Sequence, residues 1–199
     1  ILGLTSLASG GTTVLMDQIG PDDGSDIDTS NTLANQHFEA SFAVYDIAAV
    51  DDFASSGTIG ASAVEAVIAG WNGYAGWEGV TGAVVNFYSS IDAACASTFG
   101  DIYTQSFPTE EIDVSTNWTG PAGTTLIHID LGSVPLPSGT VYVSVMPINE
   151  FGTNGQTGLM LGFAGNLECW QANPNGGFGF GCTQVAPNNG AYRVYGGGG

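Results

Sequence analysis

The chain has 199 residues, 43% of them hydrophobic, which is enough for one substantial buried core. Nineteen Asp and Glu face a single basic residue, Arg193, for a formal net charge of -18. With no cationic surface to displace counterions from phosphates, nucleic acid is excluded as a partner, and the same repulsion disfavours anionic membranes.

The opening ILGLTSLASGG is apolar and then small. It reads as the tail of a signal peptide, as a strand packed back on its own domain, or as a strand donated to a neighbouring subunit. Ile1, Leu2, Leu4 and Leu7 carry its apolar side chains, and residues 8–11 form a flexible link. Strand addition satisfies an exposed edge through backbone hydrogen bonds, and head-to-tail addition does not close on itself, so it builds a filament. Residues 1–11 are therefore set apart as an N-terminal extension, and residues 12–199 as one domain.

Turn formers punctuate that domain, and the segments between them are rich in Val, Ile, Thr and aromatics, the pattern of an all-β fold. The first strand is expected at Thr12 to Gln18, followed by a polar, acidic loop from Gly20 to Gln36. Asp22, Asp23, Asp26 and Asp28 cluster there around Gly24, and several hard oxygens on a pliable loop suit calcium; the plain alternative is a solvated acidic loop. The spacing is not that of an EF-hand. A strand is expected at His37 to Tyr45, and Asp51-Asp52 reads as a second candidate cluster for calcium or, more plainly, as a strand end with exposed carboxylates. After a strand at Ser62 to Trp71, a glycine-rich loop carries Trp71, Tyr74 and Trp77. Such rings stack on sugars, or else cover the end of the core or a subunit contact.

Further strands are expected at Ala83 to Ser89 and Asp101 to Phe107. Between them Cys95 is either a small buried thiol or a bond to another chain. Asn117-Trp118-Thr119 is a glycosylation sequon. In Thr124 to Leu131 the alternation turns Ile127, Ile129 and Leu131 inward, leaving His128 and Asp130 to solvent. The clearest strand is Thr140 to Met146, with Val141, Val143 and Val145 on one face. Strands at Gln156 to Phe163 and Ala191 to Tyr195 complete the series, and between them Cys169 and Cys182 enclose a Gly-rich segment that a disulfide can close.

The segments MDQIG, FEASFAVYDIAAVDDF, VNFYSS, VYVSVMP and ECWQANPNGGFGFGCTQ resemble those of a broad group of secreted bacterial β-sandwich proteins, over residues 12 to 196. The resemblance implies the sandwich and an exported location and supplies no catalytic residue. One departure is Val50, inserted where such elements run Ala-Ala-Asp-Asp-Phe.

His37 and His128 have no recognisable nucleophile motif beside them, no G-x-S-x-G occurs, and no lysine exists for a phosphate loop. The expectation is a non-enzymatic extracellular protein, an antiparallel, jelly-roll-like β-sandwich without a membrane span. Its partners are then copies of itself, in a filament or sheath built by the N-terminal strand with calcium screening the acidic surface. The alternative is a monomeric carbohydrate-binding or adhesion module that takes extracellular glycans on Trp71, Tyr74 and Trp77.

Overall fold

The computed structural model describes residues 12–185 and 187–197. Ile1, Leu2, Leu4 and Leu7, the side chains of the expected donor strand, lie outside the described residues. In chain order the strands are β1 (Thr13–Asp17), β2 (Ile27–Ala34), β3 (Ala48–Ser56), β4 (Gly60–Trp71), β5 (Gly82–Tyr88), β6 (Tyr103–Pro108) and β7 (Ile112–Val114). There follow β8 (Thr125–Val134), β9 (Ser138–Ile148), β10 (Gln156–Gly162), β11 (Cys169–Ala172), β12 (Cys182–Val185), β13 (Asn189–Gly190) and β14 (Tyr192–Gly197). Two short helices, α1 (Ile91–Ala96) and α2 (Phe151–Asn154), cap the turns after β5 and β9.

These strands form two antiparallel sheets packed face to face, the all-β sandwich that the alternating pattern implied. In the first sheet β4 pairs with β8 along one edge and with β14 and then β10 along the other; β7 extends beyond β8, β1 beyond β14, and β2 and β13 flank β10. The second sheet runs β12-β11-β3-β9-β5-β6. Between the sheets, Val64, Ala66, Ile68, Ile127 and Ile129 of the first face Phe53, Val85, Val141, Val143 and Val145 of the second. The inward sets expected for β8 and β9 are thus the ones that build the core.

Both outer faces also carry apolar clusters, which explains why β5 and β10 are buried at every residue. On the second sheet Val50, Val84, Tyr88 and Met146 lie with Ala94 of α1, whose first turn is capped by Ser90 Oγ accepting from the Ala93 N–H at 3.1 Å. On the first, Ile19, Ile27, Val67, Leu126 and Met160 form a layer with Trp118 packed against it.

Several expectations need correction. The polar stretch 20–36 is not all loop: residues 27–34 form β2, held by pairing with β10. Its Asp, Ser and Asn content opposes strand propensity, but the backbone of a buried neighbour needs a partner, and Leu33 is buried in the core between the sheets while Ile27 is buried in the outer apolar layer. The strand expected at His37 to Tyr45 is instead a single bridge at His37, next to one at Gln36, and a 3-10 turn over Ala40–Tyr45. Asp51 is not an exposed strand end; it sits fully buried within β3. Finally, Cys182 is bonded to Cys95, not to Cys169, which remains a buried free thiol. Antiparallel pairing sets Cys169 opposite Val185 and Cys182 opposite Ala172, so the two cysteines stand at opposite ends of the β11–β12 hairpin. The bond made ties the cap α1 to the edge strand β12.

Candidate binding pocket

At one end of the sandwich three connections meet: residues 37–46, the α2 turn, and the Gly-rich loop 173–181 between β11 and β12. The first is clasped at its base by one carboxylate. Asp46 accepts the Phe38 N–H on Oδ1 at 2.7 Å and holds His37 Nδ1 on Oδ2 at 3.1 Å. This hydrogen bond raises the His37 pKa against the opposing effect of burial. The 3-10 turn that follows, Ala40–Tyr45, stacks Phe42 and Tyr45 three residues apart on one side, and Phe38, in the extended backbone before the turn, packs its ring against Tyr45.

Side-chain amides lock the other two loops onto the first. Asn173 donates through Nδ2 to the Asp46 carbonyl at 2.8 Å and accepts the Phe178 N–H on Oδ1 at 2.9 Å. The Phe151 N–H donates to Glu39 Oε2 at 3.1 Å. Gly177 N–H reaches the Val44 carbonyl at 3.1 Å, and a Cβ at 177 would lie 2.5 Å from that oxygen, so only glycine permits this approach. Beneath them Asn149 donates to the Gly155 carbonyl, and Gln36 donates to the Asn149 carbonyl and accepts the Thr157 N–H. Buried amides satisfied in this way fix the loops as rigid parts of the sandwich.

The result is a circuit of aromatic rings. Ring centroids lie 6.2 Å apart for Phe42–Tyr45, 5.3 Å for Tyr45–Phe178, 6.3 Å for Phe178–Phe38, 6.2 Å for Phe38–Phe151 and 6.0 Å for Phe151–Phe42. Neighbouring planes are inclined by 44° to 72°, so the rings wall a pocket instead of presenting a flat platform. The pocket has a volume of about 330 Å³ and is completed by Asn72 and Gln156. Phe38 is buried beneath it, whereas Phe42 and Phe178 are each 37% exposed. No ionisable group other than the Tyr45 phenol lines it. Gln156 opens β10 and is 5% exposed, and its Nε2 finds no hydrogen-bond partner among the described residues. A buried donor without a partner is costly, and a cavity wall is where a ligand can relieve that cost.

The rings singled out in the sequence lie nearby but do not form this pocket. Trp77 belongs to the buried core, Tyr74 packs against that core with its hydroxyl enclosed and its pKa pushed up to about 12 by burial, and Trp71 is half-buried on β4. From that loop only Asn72, at φ 54°, reaches the lining. The missed residues, Phe38, Phe42, Tyr45, Phe151 and Phe178, come from three separate loops; the three-residue spacing of Phe42 and Tyr45 was the one signal in the sequence.

The acidic loop does not gather its carboxylates. Asp23 accepts the Ser25 N–H, Asp28 accepts from Ser30, Asp22 lies 3.7 Å from Arg193, and Asp26 packs against Gly20. Among the described residues no group of three or more His, Cys, Asp or Glu side chains is placed to hold a metal ion. Asn117 of the sequon is exposed in a turn.

Two polar features lie elsewhere. Across five adjacent strands of the first sheet, Asp17, Arg193, Glu65, His128 and Asp113 stand in one register row of alternating charge. His128 is therefore not simply solvated: its Nδ1 is 3.1 Å from Glu65 Oε1, and this bond raises its pKa against burial. Burial opposes ionisation of Glu65, but His128, Arg193 and Tyr195 together hold its pKa below the ordinary value. The other feature is Asp51, which accepts the Gly190 N–H at 2.5 Å, the Asp52 N–H at 2.7 Å and Gln18 Nε2 at 3.3 Å. Burial nevertheless pushes its pKa up to about 7. A half-turn of the Gln18 amide would let protonated Asp51 donate to Gln18 Oε1, which otherwise lacks a partner among the described residues.

No protein-family model matches the chain, and neither does any curated protein sequence. Among the described residues, no helix is long and apolar enough to cross a membrane.

Proposed function

We propose that this chain is an extracellular binding module of the adhesion type, without catalytic activity, that holds an uncharged saccharide in the pocket of Phe38, Phe42, Tyr45, Phe151 and Phe178. The observation that carries the reading is the ring circuit with an unpartnered Gln156 amide in its wall. Rings bind the C–H faces of sugars, a few polar groups fix orientation, and a volume of about 330 Å³ is at the small end for ligand sites, suited to one end of a glycan. The absence of charged side chains from the lining, on a chain of net charge -18, favours a neutral ligand over an anion. The Cys95–Cys182 bond supports an oxidising, extracellular setting.

The test is titration calorimetry of the full chain against neutral oligosaccharides, with Phe178→Ala as the control. Binding that weakens about tenfold or more in the variant supports the reading. No binding by a correctly folded protein to any neutral glycan removes it. The polymerising subunit expected from the leading apolar segment has its own test: removal of residues 1–11 must abolish any polymer seen by electron microscopy.

A further inference from the structure

We infer that the pocket selects an acetamido sugar, with Gln156 as the residue that sets this specificity. The inference rests on the saccharide reading above and names the class of sugar. Five of the seven lining residues are aromatic and the other two are amides, Asn72 and Gln156. A plain pyranose carries a hydroxyl on most ring carbons, and each one taken out of water needs a partner. Two side-chain amides and the Tyr45 hydroxyl cannot supply that many. An acetamido group divides differently: its methyl meets aromatic surface, and its carbonyl is a single strong acceptor.

The buried donor of the lining, the Gln156 amide, matches that acceptor in kind. Gln156 Nε2 has no partner among the described residues, while the Asn and Gln amides beneath the loops, those of Asn35, Gln36, Asn149, Asn154 and Asn173, are engaged in hydrogen bonds. Gln156 Nε2 is itself enclosed, and a rotation of the amide would bring its N–H₂ to the cavity that Gln156 lines. The inclined walls favour a group inserted end-on over a ring lying flat, and Phe42 and Phe178, exposed at 37%, remain at the mouth to cover the attached pyranose. A site built around one buried donor rejects an analogue that lacks the acceptor, because the donor is again left unpaired. No carboxylate or guanidinium in the lining competes for the acetamido N–H or repels a neutral ligand.

The experiment compares the trimer of N-acetylglucosamine with the trimer of glucose by calorimetry, and follows the Gln side-chain amide resonances by NMR. The acetamido trimer is expected to bind at least about tenfold more tightly, with the Gln156 resonance shifting on titration. Gln156→Leu is expected to bring the affinity for the acetamido trimer down to that for the glucose trimer, with thermal melting to verify the fold. Equal affinity for the two trimers in the unmodified protein overturns the inference and leaves the saccharide reading standing. The same holds for a margin that survives Gln156→Leu. Failure of both trimers and of other neutral glycans to bind the folded chain overturns both.

Discussion

Arg193 stands directly opposite Glu65 in the pairing of β14 with β4, its Nη1 2.6 Å from Glu65 Oε2. The guanidinium also reaches Asp17 through Nε at 3.1 Å and donates through Nη2 to the Gly20 carbonyl. The chain's one strong cation is thus spent on its own interior edge, where it neutralises carboxylates on β1, β4 and the following acidic loop.

Removing that cation leaves half-buried carboxylates unpaired. Arg193→Met is expected to cost about 3 kcal/mol, read from urea unfolding at pH 7. The double variant with Glu65→Gln should recover part of the loss, since the uncompensated charge goes with it.

Stability should fall as pH rises from about 4 to about 7. Asp51 has its pKa raised from 3.8 to about 7, so the native state binds the extra proton across that window. Its contribution is full below the unfolded value and is lost as pH passes through the folded one. Raised pKa values at His37 and His128 act with the same sign around neutrality. Glu65, whose pKa is lowered, opposes them only at the acid end. Unfolding free energies between pH 4 and 8 should therefore drop by about 2 to 4 kcal/mol, and Asp51→Asn should flatten the slope.

The disulfide makes two chemical predictions. Peptide mapping without reduction should recover Cys95 joined to Cys182, and Cys95→Ser should cost about 3 to 4 kcal/mol for a loop of 87 residues. Cys169 is buried and its thiol pKa is pushed up to about 12, so iodoacetamide should label it only after denaturation.

Phe42→Ala is expected to cost less than about 1 kcal/mol of stability, because its ring is already 37% exposed, while weakening saccharide binding about tenfold. Trp77→Ala should behave in the opposite way: it opens the core, costs about 3 kcal/mol or more, and acts on binding only through the fold.

Where burial follows a period of two, the sequence was readable: Ile127, Ile129 and Val141, Val143, Val145 alternate and build the core as their spacing requires. It was not readable where tertiary pairing overrides composition. β2 is polar and becomes a strand because β10 needs a neighbour, and Asp51 is acidic and lies buried because Gly190, Asp52 and Gln18 receive its oxygens. The pocket was the least legible part, since Phe38, Phe151 and Phe178 are each unremarkable in their own loop and gain meaning only when the amides of Asn149 and Asn173 bring those loops together.

The position of Arg193 also governs how the molecule meets a digestive environment. A protease that cuts after basic residues has one bond to attack in the whole chain, Arg193–Val194, and that bond lies in the middle of β14 with β1 on one side and β4 on the other. Cleavage there requires the sheet to come apart.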